Sequence, residues 1–291
     1  MTVDPRAPTR PQRVTFARPP RPRWHMPLLL TLTLVAIAAA YLLAPWRINL
    51  LLLGIDRAPP GTVLGRSDTI LLMSAQPLTA RVAMLSVPRD LWVTIPGRGE
   101  NRINAAHFLA ESEAPGTGPQ AALETVQANF GIPVRYYLRL QFDGLRRLVD
   151  ALGGVEVVLP EGMAGYPAGV VILDGNQALA FVRDRAGSDD FDRMARSQLF
   201  FNALLAQAAR PQAWPRLPAA ALELMRTLDS DLPLWEWPRL VLTLLRSGSE
   251  GIDARVLPRE AVRPFITSSG ASVLLPDWDG IWPLVAELFG D

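Results

Sequence analysis

The chain has 291 residues, with 29 basic and 28 acidic side chains and a formal net charge of +1, which excludes an overall basic nucleic-acid binder; no nucleic-acid partner is expected. All 29 cations are arginine and there is no cysteine, so lysine chemistry, thiol nucleophiles, disulfides and cysteine-ligated zinc are excluded. His25 and His107 alone leave little for a histidine-based triad or metal site, and chemistry falls to carboxylates and arginines.

Residues 1–23 hold six Arg, six Pro and one acidic residue, Asp4, the composition of a disordered basic leader. Residues 24–46 carry no Asp, Glu or Arg, and at helical rise they span about 34 Å, enough for a hydrocarbon core of ~30 Å. Trp24, Tyr41 and Trp46 stand where interfacial aromatics belong. The segment reads as a single uncleaved transmembrane anchor. Its N-terminus is expected in the cytoplasm, because six arginines precede it and Arg47 alone directly follows. A cleavable signal peptide ending near Ala38-Ala39-Ala40 is the alternative.

Beyond residue 47, apolar runs and helical spacings alternate. Strands are predicted over 48–55, 68–75, 81–87 and 91–95, then helices over 104–111 and 120–130, the second closed by Gly131. A strand over 135–141, a helix over 142–152 closed by Gly153-Gly154, and a strand over 155–159 follow. Asp174 is the predicted N-cap of a helix through Arg183, and 191–209 is a long amphipathic helix. Helices over 219–228 and 234–245, strands over 255–257 and 272–275, and a helix over 279–289 complete the chain. The alternation predicts an α/β or α+β sandwich around one sheet. A core over 47–210 and a C-terminal extension over 211–291 packed on it are expected.

Asp56 follows the first strand and Asp68 opens the second. If the strands are neighbours, both carboxylates meet at one sheet edge, the donor set that holds Mg²⁺ together with water and phosphate oxygens. Ordinary turn residues fit the same pattern. Arg89, in Ser86-Val87-Pro88-Arg89-Asp90 at the end of the third strand, comes to or near that edge. Downstream, Arg183, Arg185, Arg193 and Arg196 alternate with Asp184, Asp189, Asp190 and Asp192. Guanidinium forks there suit a phosphate clamp, and a self-neutralising solvated face is the other reading. His107 reads as a packed or surface residue, and Ser86 has no base within reach in sequence.

Taken together, LLLGID (51–56), GRSDTILL (65–72), SVPRDLWVTIPG (86–97), RINAA (102–106), YLRLQFDG (137–144), LVDALGGVEV (148–157), LDGNQALAFVRDR (173–185) and DFDRMARSQ (190–198) resemble the LytR-CpsA-Psr family of bacterial cell-envelope glycopolymer ligases in order and spacing. The resemblance implies an α/β/α sandwich around one central mixed sheet, preceded by a single transmembrane helix. It also implies an Mg²⁺-dependent phosphotransferase that moves a glycopolymer from a polyprenyl-pyrophosphate carrier to peptidoglycan through a phosphodiester. By the same resemblance Asp56 and Asp68 are metal-associated, and Arg66, Arg89, Arg183 and Arg193 hold the pyrophosphate, with Arg185, Arg196 and Asp90 alongside. These groups are expected to converge on one patch, and the helices over 120–130, 142–152 and 191–209 to line an apolar lipid tunnel. The chain departs from the family at Arg57, adjacent to Asp56 instead of two residues on, at Arg102, where lysine is common, at His107–Glu111, where Gly-Gly is usual, and in the short 160–169 segment.

The localisation implied is the bacterial cell membrane, single-pass, with the catalytic part outside. A lipid-pyrophosphate pyrophosphatase and a non-catalytic membrane-bound regulator or binding module are the competing functions.

Overall fold

A computed structural model describes residues 25–55, 65–184, 189–248 and 251–290. The chain divides into two units, residues 1–41 and residues 42–291. In the first, α1 (His25–Leu42) is 18 residues of nearly unbroken apolar sequence, about 27 Å long at helical rise. Among the described residues no helix is long and apolar enough to cross a membrane. The expected single transmembrane helix over 24–46 is not matched by a helix of that length among the described residues. The helix stops at Leu42, and Ala44 is buried in the second unit. There the fully buried Arg239 donates to the carbonyls of Ala44 (3.3 Å) and Trp46 (3.0 Å) and lies 5.5 Å from the Trp46 ring centre. Residues 44–46 are held by protein groups.

The second unit contains, in chain order, β1 (Ile48–Ile55), β2 (Ser67–Gln76), β3 (Arg81–Ser86), β4 (Trp92–Ile95), β5 (Gly99–Arg102), α2 (Ala105–Glu113), α3 (Gly118–Phe130), β6 (Tyr136–Gln141), α4 (Phe142–Leu152), β7 (Val155–Leu159), β8 (Gly169–Leu173), α5 (Gly175–Arg183), α6 (Asp190–Ala209), α7 (Leu217–Thr227), β9 (Leu228–Ser230), α8 (Glu236–Ser247), β10 (Ile252–Val256), β11 (Val262–Ile266), β12 (Ser272–Pro276) and α9 (Trp278–Phe289). Six strands form a mixed sheet in the order β10-β3-β2-β1-β6-β9, and β4–β5, β7–β8 and β11–β12 form separate pairs. β1 is apolar apart from Asn49, as suits a central strand, antiparallel to β2 and parallel to β6.

Side chains alternate between the two faces. Leu51, Leu53, Leu72 and Leu85 pack under α3 (Leu123, Val126, Phe130) and α9 (Ile281, Val285, Leu288). Leu50, Met73 and Met84 face α8 through Leu240 and α6 through Phe201. A third cluster joins α4, α5, α6 and α7 to the β7–β8 hairpin. The fold is thus an α/β/α sandwich. The helices expected to line one lipid tunnel do not share a face: α3 covers one side of the sheet, and α4 and α6 belong to the other.

Local signals account for several element ends. Gly131 and Gly153 close α3 and α4 at φ +69° and +82°, and Asp174 forms a capping box with Gln177 at the start of α5. Four strands carry no readable sequence pattern: β5 (GENR) has no apolar residue, β8 exposes Val170 and Ile172, β9 is three residues long and β11 contains Pro264. The C-terminal eighty residues also supply β9 and β10, both outer strands of the central sheet.

Candidate functional site

Strand direction builds the site. β1 and β3 point one way and β2 the other, so the end of β1, the start of β2 and the end of β3 meet at one edge. Ile55 pairs with Ser67 beside a bulge at Gly54/Ile55, and Leu71 pairs with Ser86. The Val87 amide continues that pairing by donating to the Ile70 carbonyl at 2.9 Å, which carries Arg89 and Asp90 to the same edge as Asp68. α6 brings its first turn there as well: the Arg193 guanidinium donates to the Asp68 main-chain carbonyl at 3.1 Å.

At this edge cations and carboxylates alternate. Arg89 is hydrogen-bonded to the Asp68 carboxylate and lies 3.6 Å from Asp90 and 3.5 Å from Asp190. Asp90 is also 3.2 Å from Arg102, and Asp190 accepts Arg193 at 2.5 Å. Burial works against the Arg89 charge, but the hydrogen bond it donates to Asp68 and the fields of Asp190, Asp68 and Asp90 outweigh it and raise its pKa. The Asp190 carboxyl is pushed up by burial, against the pull of Arg193 and Arg89 and with the help of Asp90 and Asp68. One oxygen of Asp190, Oδ2, is enclosed and has no hydrogen-bond partner.

Of the residues singled out from sequence, Asp68, Arg89, Asp90 and Arg193 come together. Asp56, Arg57 and Arg185 lie outside the described residues. Arg66 immediately precedes β2 and is exposed, and Arg183 is the exposed last residue of α5. Arg196 does not join the cluster. It hydrogen-bonds to the Asp184 carbonyl and lies 3.6 Å from the Asp184 carboxylate, so it holds the residue that ends α5. Arg193 and Arg196 are buried, 8% and 5% exposed, where a sequence reading places a solvated charged face. Asp190 and Arg102 are the partners that sequence reasoning missed. Asp190 is one of four neighbouring acidic residues of like appearance, and only the fold singles it out.

The surroundings fix this edge. The Leu274 amide of β12 donates to the Asp90 carbonyl at 3.0 Å, and Arg102 donates to the Ser272 carbonyl at 2.6 Å. Gln198 of α6 donates to the Ser86 hydroxyl at 3.0 Å. His107, fully buried, is 3.0 Å from the Gly65 carbonyl through Nδ1 and 3.2 Å from Arg139 through Nε2. An arginine only donates, so His107 Nε2 accepts and Nδ1 carries the proton. Burial, opposed by the Gly65 hydrogen bond and aided by Arg139, lowers its pKa. Arg139 also pairs with Glu111 (3.2 Å) and Asp229 (2.6 Å). Burial pushes Glu111 up, but the Gly116 and Gly118 amides and Arg139 together hold it below the usual range.

The donor chemistry fits a hard divalent cation: Asp68 offers a partly exposed carboxylate at an arginine-lined edge, and Mg²⁺ takes one or two carboxylates and completes its shell with water and phosphate oxygens. Among the described residues no group of three or more His, Asp or Glu side chains forms an all-protein cage. A cleft of about 700 Å³ lies between the 160–166 loop and the α6 residues Asp192, Ala195, Arg196 and Leu199.

A model of the LytR_cpsA_psr family matches residues 44–277. The chain is 38% identical over 168 residues to a protein of Oceanobacillus iheyensis named polyisoprenyl-teichoic acid–peptidoglycan teichoic acid transferase TagU, covering 56% of this chain and 52% of that one. It is 31% identical over 199 residues to the protein of the same name in Halalkalibacterium halodurans, covering 65% and 63%. The chain thus spans about half the length of the first relative. Among solved structures, the crystal structure of B. subtilis TagV superposes with a TM-score of 0.67 at 24% identity, covering 84% of this chain and 97% of that one, a likeness of fold.

Proposed function

The chain belongs to the LytR-CpsA-Psr family, and from that premise we propose that it is a membrane-anchored phosphotransferase that moves a glycopolymer from a polyprenyl-pyrophosphate carrier to peptidoglycan, leaving a phosphodiester. The carrying observation is the alternation of Arg89 and Arg193 with Asp68 and Asp190 at one sheet edge, from elements more than a hundred residues apart in sequence. The names of the relatives, teichoic acid transferases acting toward peptidoglycan, point the same way.

Phosphoryl transfer asks a protein mainly for positioning and for stabilisation of charge on the phosphate oxygens. Arg89 and Arg193 present guanidiniums already oriented by carboxylates, and a pyrophosphate takes those carboxylates' place. Arg66 and Arg183, both exposed, and Arg185 are the further arginines that the family resemblance assigns to the pyrophosphate. Asp68, together with Asp56, would hold Mg²⁺, whose charge offsets that of the pyrophosphate. The cleft beside α6 is of the size that holds saccharide-sized ligands.

The anchor is α1 with its flanking residues. Leu28, Leu30, Leu32, Leu34, Val35 and Ile37 are all more than half exposed, and a helix apolar on every side suits lipid. The arginine-rich leader places the N-terminus in the cytoplasm and residues 47–291 outside the bacterial cell membrane.

The test supplies the full-length protein in detergent with a labelled lipid-linked glycopolymer, with and without peptidoglycan. Label covalently joined to peptidoglycan is the expected result. Release of polymer phosphate to water regardless of peptidoglycan means a pyrophosphatase, and donor bound but returned unchanged means a binding module or regulator.

A further inference from the structure

Transfer to a hydroxyl requires a group to take the hydroxyl proton, and the cluster offers three carboxylates. Two are committed. Asp68 is hydrogen-bonded to Arg89, and Asp90 has one oxygen at 3.2 Å from Arg102 and the other at 3.6 Å from Arg89. Asp190 differs. Its Oδ1 serves both Arg193 (2.5 Å) and Arg89 (3.5 Å), whereas Oδ2 is enclosed without a donor. Among the described residues it is the one carboxylate oxygen in that condition. Enclosed acceptors are normally satisfied, and an exception at a site calls for a functional reason.

Resting on the transferase reading, we infer that Asp190 is the catalytic base, its Oδ2 accepting the proton of the acceptor sugar hydroxyl. The hydroxyl oxygen forms a bond to the polymer-side phosphorus of the pyrophosphate, and the bond from that phosphorus to the bridging oxygen breaks. Prenyl phosphate departs with the electron pair, and the proton moves to Oδ2 and from there to the leaving phosphate or to water. A pyrophosphate that draws Arg89 and Arg193 onto itself would withdraw them from Oδ1 and leave the carboxylate more basic as the acceptor arrives. Burial, which already pushes this carboxyl up, acts in the same direction.

The full-length protein carrying Asp190→Asn tests this. Transfer from lipid-linked donor to peptidoglycan is expected to fall by roughly 10²–10⁴-fold, the usual contribution of a positioned base. Binding of farnesyl diphosphate, measured by titration calorimetry, stays equal or tightens, since one negative charge has left its neighbourhood. In Asp190→Ala, added formate restores part of the lost rate. Transfer within tenfold of wild type in Asp190→Asn overturns the assignment. So does parallel loss of farnesyl diphosphate binding, which makes Asp190 a positioning residue. If Asp190→Asn fails to fold, the presence or absence of formate rescue in Asp190→Ala decides. A wild-type chain that hydrolyses donor without transferring it refutes the transferase reading alone, and the same variants then report on Asp190 through hydrolysis, because attacking water gives up a proton as well.

Discussion

Arg89 is the side chain on which the cluster turns, since it touches Asp68, Asp90 and Asp190. Its loss removes a preorganised donor from the pyrophosphate, and Arg89→Ala should lower transfer by about 10²–10³-fold. Asp68→Ala should abolish most transfer together with its dependence on Mg²⁺. Circular dichroism should show both variants folded, because the two side chains are partly exposed at a sheet edge. Intact transfer in either variant refutes the assignment. His107 makes a separate statement through pH. Its folded pKa is depressed by burial, so the unfolded chain binds the extra proton. The stability from neutral His107 is therefore complete above the unfolded value of about 6.5 and drains away as pH falls toward the folded value. Thermal melts should show wild type losing stability from pH 7.5 to 5.5, and His107→Gln, lower at the start, changing less over that interval. Equal slopes would remove His107 as the cause.

At the scale of elements, the start of α6 is the joint that matters, because it delivers Asp190 and Arg193. Asp189 caps it, accepting from the Phe191 amide (3.0 Å) and the Asp192 amide (3.1 Å), and its carboxylate is hydrogen-bonded to Arg259. Arg259 lies 4.6 Å from the Phe191 ring centre. Asp189→Ala removes the cap and should cost about 1 kcal/mol, within the 0.5–2 typical of caps, read from urea unfolding. Arg259→Ala breaks an exposed, solvent-screened pair and should cost less than loss of the cap. The reverse order would mean that the arginine, and not the cap, holds the helix in place. The β11–β12 pair plays a similar supporting part through Leu274 and Ser272, which tie the C-terminal region to Asp90 and Arg102.

At the scale of the whole molecule, residues 42–291 form one unit with its own sheet and cores, and residues 1–41 another. An uncleaved anchor with its N-terminus inside makes a sharp prediction. Protease added to intact spheroplasts should digest the chain beyond Arg47 and leave the arginine-rich leader protected. A mature protein that begins near Tyr41 would refute it. Within the second unit Arg239 holds residues 44–46, since it is fully buried, paired with Glu236 at 2.7 Å, and bound to the carbonyls of Ala44 and Trp46.

Local rules reach as far as local causes do. The central strand INLLLLGI, the glycine caps after α3 and α4, the Asp174 capping box and the absence of lysine and cysteine all follow from residue type and short-range spacing, so the sequence alone determined the α/β class, most elements and an arginine–carboxylate chemistry. Strands such as β5, β9 and β11 have no such cause within themselves. They exist because a neighbour offers hydrogen bonds, and only the assembled chain supplies that neighbour. The same holds for the site. Arg193 and Arg196 are three residues apart on one helix, yet one reaches the sheet edge and the other turns to Asp184. Asp190 looks like its acidic neighbours in sequence and is set apart by Arg89, a hundred residues upstream. Which charges meet is decided by strand direction and helix placement, and these arise from burial of the apolar faces, to which the charged residues themselves contribute little.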